Sequence, residues 1–185
     1  MRSTIALLLL ATGLIGGCDR QSGQPQQAEG ANVAAPAPAV PDKLDRSHKG
    51  EAAPTFAFTD AKGAQRTLAD FRGKPVLLNL WATWCAPCVK EMPTLDTLAV
   101  REGDRLQVVT VSQDFEPAKV APFFAEKKFR KLQPFIDSET AFSTQMGLNL
   151  PATILYDSQG REVWRMLGDT DWAGEAAAKL IAEAR

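Results

Sequence analysis

The chain has 185 residues, enough for one domain of ordinary size with an extension but not for two large domains. Its 21 Lys and Arg residues nearly balance 22 Asp and Glu residues, so its net charge of -1 favours neither nucleic-acid binding nor an acidic disordered chain. A single histidine, His48, argues against His-rich metal sites and Ser-His-Asp catalysis, and three cysteines are too few for a disulfide-stapled scaffold.

The first 17 residues are typical of an export signal. Arg2 supplies a positive charge, and the apolar stretch at 5–15 is too short to span a bilayer comfortably. The sequence LIGGC at 14–18 resembles a bacterial lipobox, which implies that Cys18 is lipidated and becomes the mature N-terminus. The alternative is a chance cysteine near an ordinary cleavage site. Asp19 implies, by the same resemblance, a protein held at the periplasmic face of the inner membrane.

Residues 18–50 are predicted to be a disordered tether rich in Pro, Ala and Gln. Large apolar residues are nearly absent from this segment, so burial cannot offset the entropy lost on ordering it. His48 is predicted to be a solvated histidine of the tether. The folded domain is therefore predicted to cover residues 51–185.

Hydrophobic periodicity in this domain predicts alternating strands and helices. The first half is predicted to form a hairpin, a strand, a helix and a second strand, at residues 55–68, 75–82, 87–101 and 106–112. The second half is predicted to form a helix, a short strand, a short helix, two hairpin strands and a terminal helix, at residues 117–129, 133–136, 139–146, 152–156, 162–167 and 172–184. This order predicts an α/β fold with a mixed sheet.

Two cysteines, Cys85 and Cys88, lie where a buried strand ends and a helix begins. This spacing brings two Cα atoms within about 5.5 Å, a distance that a disulfide prefers. Unpaired N–H groups and the helix dipole should lower the pKa of Cys85, so Cys85 is predicted to attack and the more buried Cys88 to resolve. A zinc site needs further ligands that the domain lacks, and a structural disulfide closing so short a loop adds little stability.

The residues around this pair carry a specific resemblance. The sequence NLWATWCAPCVKEMP at 79–93 resembles the active site of the TlpA/ResA-like branch of thioredoxin-fold proteins, and LPATILYD at 150–157 resembles its cis-proline segment. Segments at 53–56 and 68–74 match its entry hairpin. The resemblance implies a thioredoxin-like fold with a central mixed β-sheet flanked by helices, an N-terminal hairpin and a central αβ insertion at 114–150.

The same resemblance implies a periplasmic thiol-disulfide oxidoreductase. Such proteins keep the cysteines of their substrates reduced during assembly of cytochromes c or copper-containing oxidases. A membrane thiol carrier then reduces the oxidised proteins again. The expected substrates are therefore apocytochrome c or copper-site proteins, with no metal or cofactor beyond the cysteine pair, and the protein is expected to be a monomer. Residues 148–150 lack the glycine-rich signature of dedicated cytochrome c maturation reductases, which favours general or copper-protein disulfides.

Glu91 is a candidate for proton transfer. It lies three residues after Cys88, on the same helix face, and the resemblance implies a functional glutamate at this position. If partly buried, its pKa rises and it can exchange a proton with Cys88. The alternative is a solvated helix glutamate. Asn79 lies where thioredoxin carries a buried acid, and an amide cannot take the proton.

The remaining candidates surround the cysteines. Pro151 is expected to form a cis peptide that places backbone beside Cys85, although a rigid turn is the alternative. Trp84 is predicted to lie on an exposed rim that recognises a partner, together with Pro87 and Leu150. Trp81 is predicted to lie in the core.

Two other classes of function are alternatives. A thiol peroxidase shares the entry hairpin, but its signature PxxxTxxC is absent, because Thr83 precedes Cys85 by two residues. A copper chaperone on this fold usually pairs CxxxC with a histidine in the domain, and neither occurs here.

Overall fold

A computed structural model describes residues 44–184, in which a mixed β-sheet is covered by helices on both faces. The strands are β1 Leu44–Asp45, β2 Phe58–Thr59, β3 Gln65–Arg66, β4 Val76–Trp81, β5 Gln107–Ser112, β6 Phe135–Ile136, β7 Ala152–Tyr156 and β8 Glu162–Leu167. The helices are α1 Ala86–Glu102, α2 Val120–Lys127, α3 Ala141–Gln145 and α4 Glu175–Ile181, with short 3-10 turns at Leu68–Phe71, Gly103–Arg105, Pro117–Lys119 and Ala182–Ala184. The strand order within the described range is β1-β8-β7-β4-β5-β6-β2-β3.

β4 lies at the centre of this sheet and is buried along its whole length. It pairs in parallel with β5 and antiparallel with β7. Its residues alternate between two cores: Leu77 and Trp81 pack with α1, α2 and α4, whereas Leu80 packs with Phe142 of α3. Burial on both faces is the physical reason for the continuous apolar run, which Asn79 alone interrupts.

The predicted element order is confirmed, although α2, α3 and α4 are shorter than predicted. α2, β6 and α3 form the predicted central insertion, and β2 and β3 form the predicted N-terminal hairpin. The helix predicted from 117 begins as a 3-10 turn, and α4 begins at Glu175 instead of 172. Trp172 stays outside α4 because its backbone N–H donates to Thr94 Oγ1 at 3.1 Å and its ring stacks on Trp164.

The folded part begins earlier than predicted. Leu44 pairs with Met166, and Asp45 pairs with Arg165, so β1 forms an edge strand beside β8. The predicted boundary at residue 51 was therefore wrong for residues 44–50. Pairing with a distant strand leaves no signature in the local composition. His48, predicted to be a tether histidine, lies in this folded segment with Nδ1 3.0 Å from Glu51 Oε2.

The predicted export signal, Cys18 and the rest of the tether lie outside the described residues. Within residues 44–184, none of the helices combines the length and the apolar character needed to cross a bilayer.

Candidate active site

The cysteine pair lies at the carboxyl end of β4, where α1 begins. Cys85 is the N-cap of α1, and it forms a disulfide with Cys88 across a Cα–Cα distance of 5.2 Å. The backbone N–H of Cys88 donates to Cys85 Sγ at 3.4 Å. This bond and the positive end of the helix dipole both stabilise negative charge on Cys85, as expected for an attacking thiolate.

The two sulfurs differ in accessibility in the predicted direction. Cys85 retains 6% exposure, whereas Cys88 is fully buried. Pro87 lies between them in the first turn of α1, where its missing N–H leaves no helix hydrogen bond unmade. The geometry therefore lets a partner reach Cys85 first.

We expect alkylation of the reduced protein to label Cys85 before Cys88. The reason is that Cys85 is the more accessible sulfur and accepts a hydrogen bond at the start of α1. Peptide mapping after brief iodoacetamide treatment between pH 5 and 9 measures the order, and denatured protein provides the control with equal access. Faster labelling of Cys88 would reverse the assignment.

Glu91 is buried, with only 2% of its surface exposed. Three groups donate to its carboxyl group: Asn79 Nδ2 at 2.8 Å, the Thr170 backbone N–H at 3.1 Å and Trp172 Nε1 at 3.2 Å. Burial raises the pKa of Glu91 to about 7, although these hydrogen bonds oppose the rise. Of the two readings of Glu91, burial fits the proton-transfer candidate and not a solvated helix glutamate.

Asn79 connects Glu91 to the sheet through hydrogen bonds. Its Nδ2 donates both to Glu91 and to Thr153 Oγ1 of β7, the latter at 3.0 Å. Its Oδ1 is buried without a hydrogen-bond partner. Asn79 therefore connects β4, α1 and β7, although it carries no titratable proton.

Sequence reasoning missed the segment that covers Glu91. Thr170 and Trp172 follow β8, about 80 positions along the chain from Glu91, and they contact it through a backbone N–H and an indole N–H. No local spacing pattern connects residues so far apart.

Pro151 follows the cis peptide bond Leu150–Pro151, as expected. It directly precedes β7, whose first residue Ala152 pairs with Leu80 of β4. The Pro151 carbonyl accepts from the Gly168 N–H at 2.7 Å. Pro151 therefore lies at the same edge of the sheet as the cysteine pair.

Asp114, which sequence reasoning also missed, fixes the turn before Cys85. It accepts from the Thr83 backbone N–H at 3.0 Å, from Thr83 Oγ1 at 2.5 Å and from Ser112 Oγ at 2.6 Å. Because β4 and β5 are parallel, their carboxyl ends meet and bring Thr83 and Asp114 together. The signal available in the sequence was a polar side chain within two positions of the end of each predicted strand, Thr83 after the strand at 75–82 and Asp114 after the strand at 106–112.

The predicted rim residues are accessible. Trp84 is 58% exposed, Pro87 is exposed and Leu150 is half-buried, whereas Trp81 lies in the core as predicted. The ring of Phe115 stacks on Trp84 with centroids 5.9 Å apart and planes inclined by 4°. Sequence reasoning did not single out Phe115.

The sequence and the fold of the chain are similar to those of known proteins. Residues 48–180 match the family described as Redoxin. Thiol-disulfide oxidoreductase ResA of Bacillus thuringiensis is 29% identical over 128 residues, covering 69% of this chain and 74% of that protein. Thiol-disulfide oxidoreductase ResA of Geobacillus kaustophilus is 36% identical over 115 residues, covering 60% of this chain and 64% of that protein. The crystal structure of a putative thiol:disulfide interchange protein DsbE from Chlorobium tepidum has a TM-score of 0.66 and 26% identity, covering 74% of this chain and 98% of that one.

Proposed function

The chain belongs to the Redoxin family and is a thiol-disulfide oxidoreductase with a redox-active cysteine pair, and from this premise we propose that it is a periplasmic reductase of protein disulfides. The observation that carries the proposal is the Cys85–Cys88 disulfide at the start of α1, with the buried carboxyl group of Glu91 one turn further along the helix. This arrangement joins a slightly exposed cysteine, a fully buried cysteine and a group that can hold a proton.

The reaction begins with the reduced dithiol. The Cys85 thiolate attacks one sulfur of the substrate disulfide, forms a mixed disulfide and expels the other substrate sulfur as a thiolate. The Cys88 thiolate then attacks Cys85 Sγ, which forms the intramolecular disulfide and releases the second substrate thiolate. The substrate gains two electrons and the cysteine pair loses two, so a dithiol donor must restore the pair.

Glu91 handles the proton of Cys88 in this scheme. Cys88 must lose its proton before it attacks, and a neighbouring carboxylate with a pKa of about 7 can accept one near neutral pH. When a donor opens the disulfide, the carboxylic acid returns the proton to Cys88. Asn79, Thr170 and Trp172 hold the carboxylate through their donated hydrogen bonds.

The substrate class follows from the resemblance in the sequence. We propose disulfides of copper-site proteins or of apocytochrome c, with a membrane thiol carrier as the electron donor. Residues 148–150 read Leu-Asn-Leu, without the glycine-rich signature of the dedicated cytochrome c enzymes, which favours copper-site or general protein disulfides.

Three assays on the purified, prereduced protein test this function against its alternatives. We expect stoichiometric reduction of a protein disulfide, with one new disulfide between Cys85 and Cys88. Rapid consumption of hydrogen peroxide would instead indicate a thiol peroxidase. Tight stoichiometric copper binding without disulfide reduction would indicate a copper chaperone. Protein lacking both cysteines is the control for all three assays.

The proposed location depends on Cys18. We expect wild-type protein to fractionate with the inner membrane and to carry acyl groups at Cys18, because lipoprotein modification supplies the several chains that stable anchoring requires. Cys18→Ala should lose the acyl groups and leave the membrane fraction. Wild-type protein that is soluble and unacylated by mass spectrometry would contradict the lipid anchor.

A further inference from the structure

The two carboxyl oxygens of Glu91 have different surroundings. Oε2 accepts from two donors in the segment after β8, the Thr170 backbone N–H at 3.1 Å and Trp172 Nε1 at 3.2 Å. Among residues 44–184, the donor to Oε1 is Asn79 Nδ2 of β4, at 2.8 Å. An ionised carboxylate offers about four acceptor positions, two on each oxygen. Both positions of Oε2 are therefore occupied, whereas Oε1 keeps one open position.

This asymmetry decides where a proton can lie on Glu91. A backbone N–H and an indole N–H can donate a hydrogen bond but cannot accept one. A proton on Oε2 would therefore displace one of the two donors and leave a buried N–H unpaired, which is unfavourable. A proton on Oε1 takes the open position and leaves all three donated hydrogen bonds in place. The acid form of Glu91 thus carries its proton on Oε1.

The indole of Trp172 is held in place beside Oε2. Its side chain is fully buried, and its backbone N–H donates to Thr94 Oγ1 at 3.1 Å. Its ring stacks on Trp164 with centroids 6.3 Å apart and planes inclined by 6°. Trp164 Nε1 in turn donates to the Leu180 carbonyl of α4 at 3.1 Å. These contacts fix the direction of the Trp172 N–H, so this donor is preorganised for the carboxyl group.

We propose that Trp172 is a positioning residue that confines the exchangeable proton of Glu91 to Oε1. This inference rests on the proposed function, in which Glu91 exchanges a proton with Cys88. Cys88 precedes Glu91 by three residues on α1, so the two side chains lie on the same helix face. Because Trp172 and the Thr170 N–H occupy Oε2, Oε1 is the oxygen that takes the proton from Cys88 and returns it.

The same hydrogen bond favours the charged form of Glu91. Burial raises the pKa of Glu91 to about 7, and the hydrogen bond from Trp172 opposes this rise. Two charged side chains lie nearby: Asp169, which raises the pKa further, and Lys90, which pairs with Asp169 at 3.5 Å. β4 and β7 contribute only uncharged side chains to this network. Trp172 thus helps to keep the pKa of Glu91 near neutrality, where its carboxylate can accept a proton.

Trp172→Phe tests this inference, because it keeps an aromatic ring and removes the indole N–H. Without that donor the carboxylate loses one hydrogen bond, so the titration midpoint of Glu91 should rise by about one pH unit. NMR of the oxidised protein, labelled in its glutamate side chains, measures the midpoint, and Glu91→Gln identifies the resonance. The intact disulfide keeps both cysteines from titrating.

Trp164→Phe is the matched control, because it removes an indole N–H from the same stacked pair but no donor from Glu91. The Glu91 midpoint should keep its wild-type value in this variant. An unchanged midpoint in Trp172→Phe, or equal shifts in the two variants, would overturn the inference, because Trp172 would then act only through packing.

The wild-type protein provides a measurement that does not depend on how a variant folds. The indole N–H resonance of Trp172 should follow the titration of Glu91 with the same midpoint, because its acceptor changes from a charged to an uncharged carboxyl group. The resonance of Trp164, which donates to the Leu180 carbonyl, should move little. A Trp172 resonance that stays constant from about pH 5 to about pH 9 would contradict the inference.

Kinetics separate this inference from the proposed function. With a higher midpoint, less Glu91 is ionised at neutral pH, so Trp172→Phe should slow the attack of Cys88 on the mixed disulfide about fivefold at pH 7 and little at pH 9. A shifted midpoint with unchanged rates would overturn the proton transfer between Glu91 and Cys88 while supporting the placement of the proton on Oε1. If the wild-type protein reduces no protein disulfide, the function is wrong, and the NMR titrations still decide the role of Trp172.

Discussion

Cys88→Ser is expected to abolish turnover of protein disulfides while leaving a mixed disulfide between Cys85 and the substrate. Cys85 can still attack, because its position at the N-cap of α1 does not depend on the second thiol. Release of the substrate fails because a serine hydroxyl does not displace a thiolate from a disulfide. In the wild type this second attack is intramolecular, and the short Cα–Cα distance of 5.2 Å gives Cys88 a large advantage over any thiol in solution.

A single-turnover experiment measures this effect. The prereduced variant is freed of donor and mixed with a protein disulfide, and the adduct is counted by mass spectrometry under non-reducing conditions. Cys85→Ser is the matched control and should form no adduct. Turnover by Cys88→Ser at a rate near that of the wild type would show that an external thiol resolves the mixed disulfide. The same variant expressed in cells identifies the trapped substrates and so tests the proposed copper-site and cytochrome classes.

Between pH 4 and pH 8.5, the free energy of unfolding of Glu91→Gln is expected to rise relative to that of the wild type by up to about 3 kcal/mol. The pKa of Glu91 is about 7 in the folded protein against an ordinary value of 4.5, so the folded state binds more protons between these values. The free energy of unfolding of the wild type therefore falls as pH rises from about 4.5 to about 7. Glutamine does not titrate, so the variant does not lose stability in this way. Its free energy of unfolding therefore rises relative to that of the wild type as pH rises.

Urea unfolding of the oxidised proteins at pH 4 and pH 8.5 measures the change, and the intact disulfide keeps both cysteines from titrating. Comparing the two pH values cancels any constant cost of altered hydrogen bonds to Asn79, Thr170 and Trp172. Glu126→Gln is the control, because the Glu126 side chain is 72% exposed. Parallel stability profiles for Glu91→Gln and the wild type would mean that Glu91 does not titrate in this range.

We expect the same variant to change the titration of the thiols as well. A carboxylate near Cys88 disfavours a second negative charge, so removing it should lower the pKa values of the cysteines. Superimposable thiol titrations and unchanged reduction rates from pH 5 to 9 would exclude Glu91 from the proton route, which would then have to pass through water.

Local patterns in the sequence were sufficient to predict most of the strands and helices and to identify the cysteine pair. The continuous apolar run of β4 and the period of α1 reflect burial, which acts on neighbouring residues and is therefore visible in short windows. The placement of Cys85 at a helix start and of Cys88 one turn later depends only on the three-residue spacing. The start of the fold was not predictable in this way, because β1 is ordered by pairing with β8, which lies far along the chain.

The sequence by itself thus determined which sulfurs react and on which element they lie, since both depend on interactions within one helical turn. Only the tertiary structure decided the burial and the hydrogen bonding of Glu91, because the groups around it come from β4, α1 and the segment after β8. It also decided the stacking of Phe115 on Trp84, because the two residues meet only where the ends of two parallel strands converge. In both cases the cause is the packing of distant segments, which sets burial and hydrogen bonding independently of local spacing.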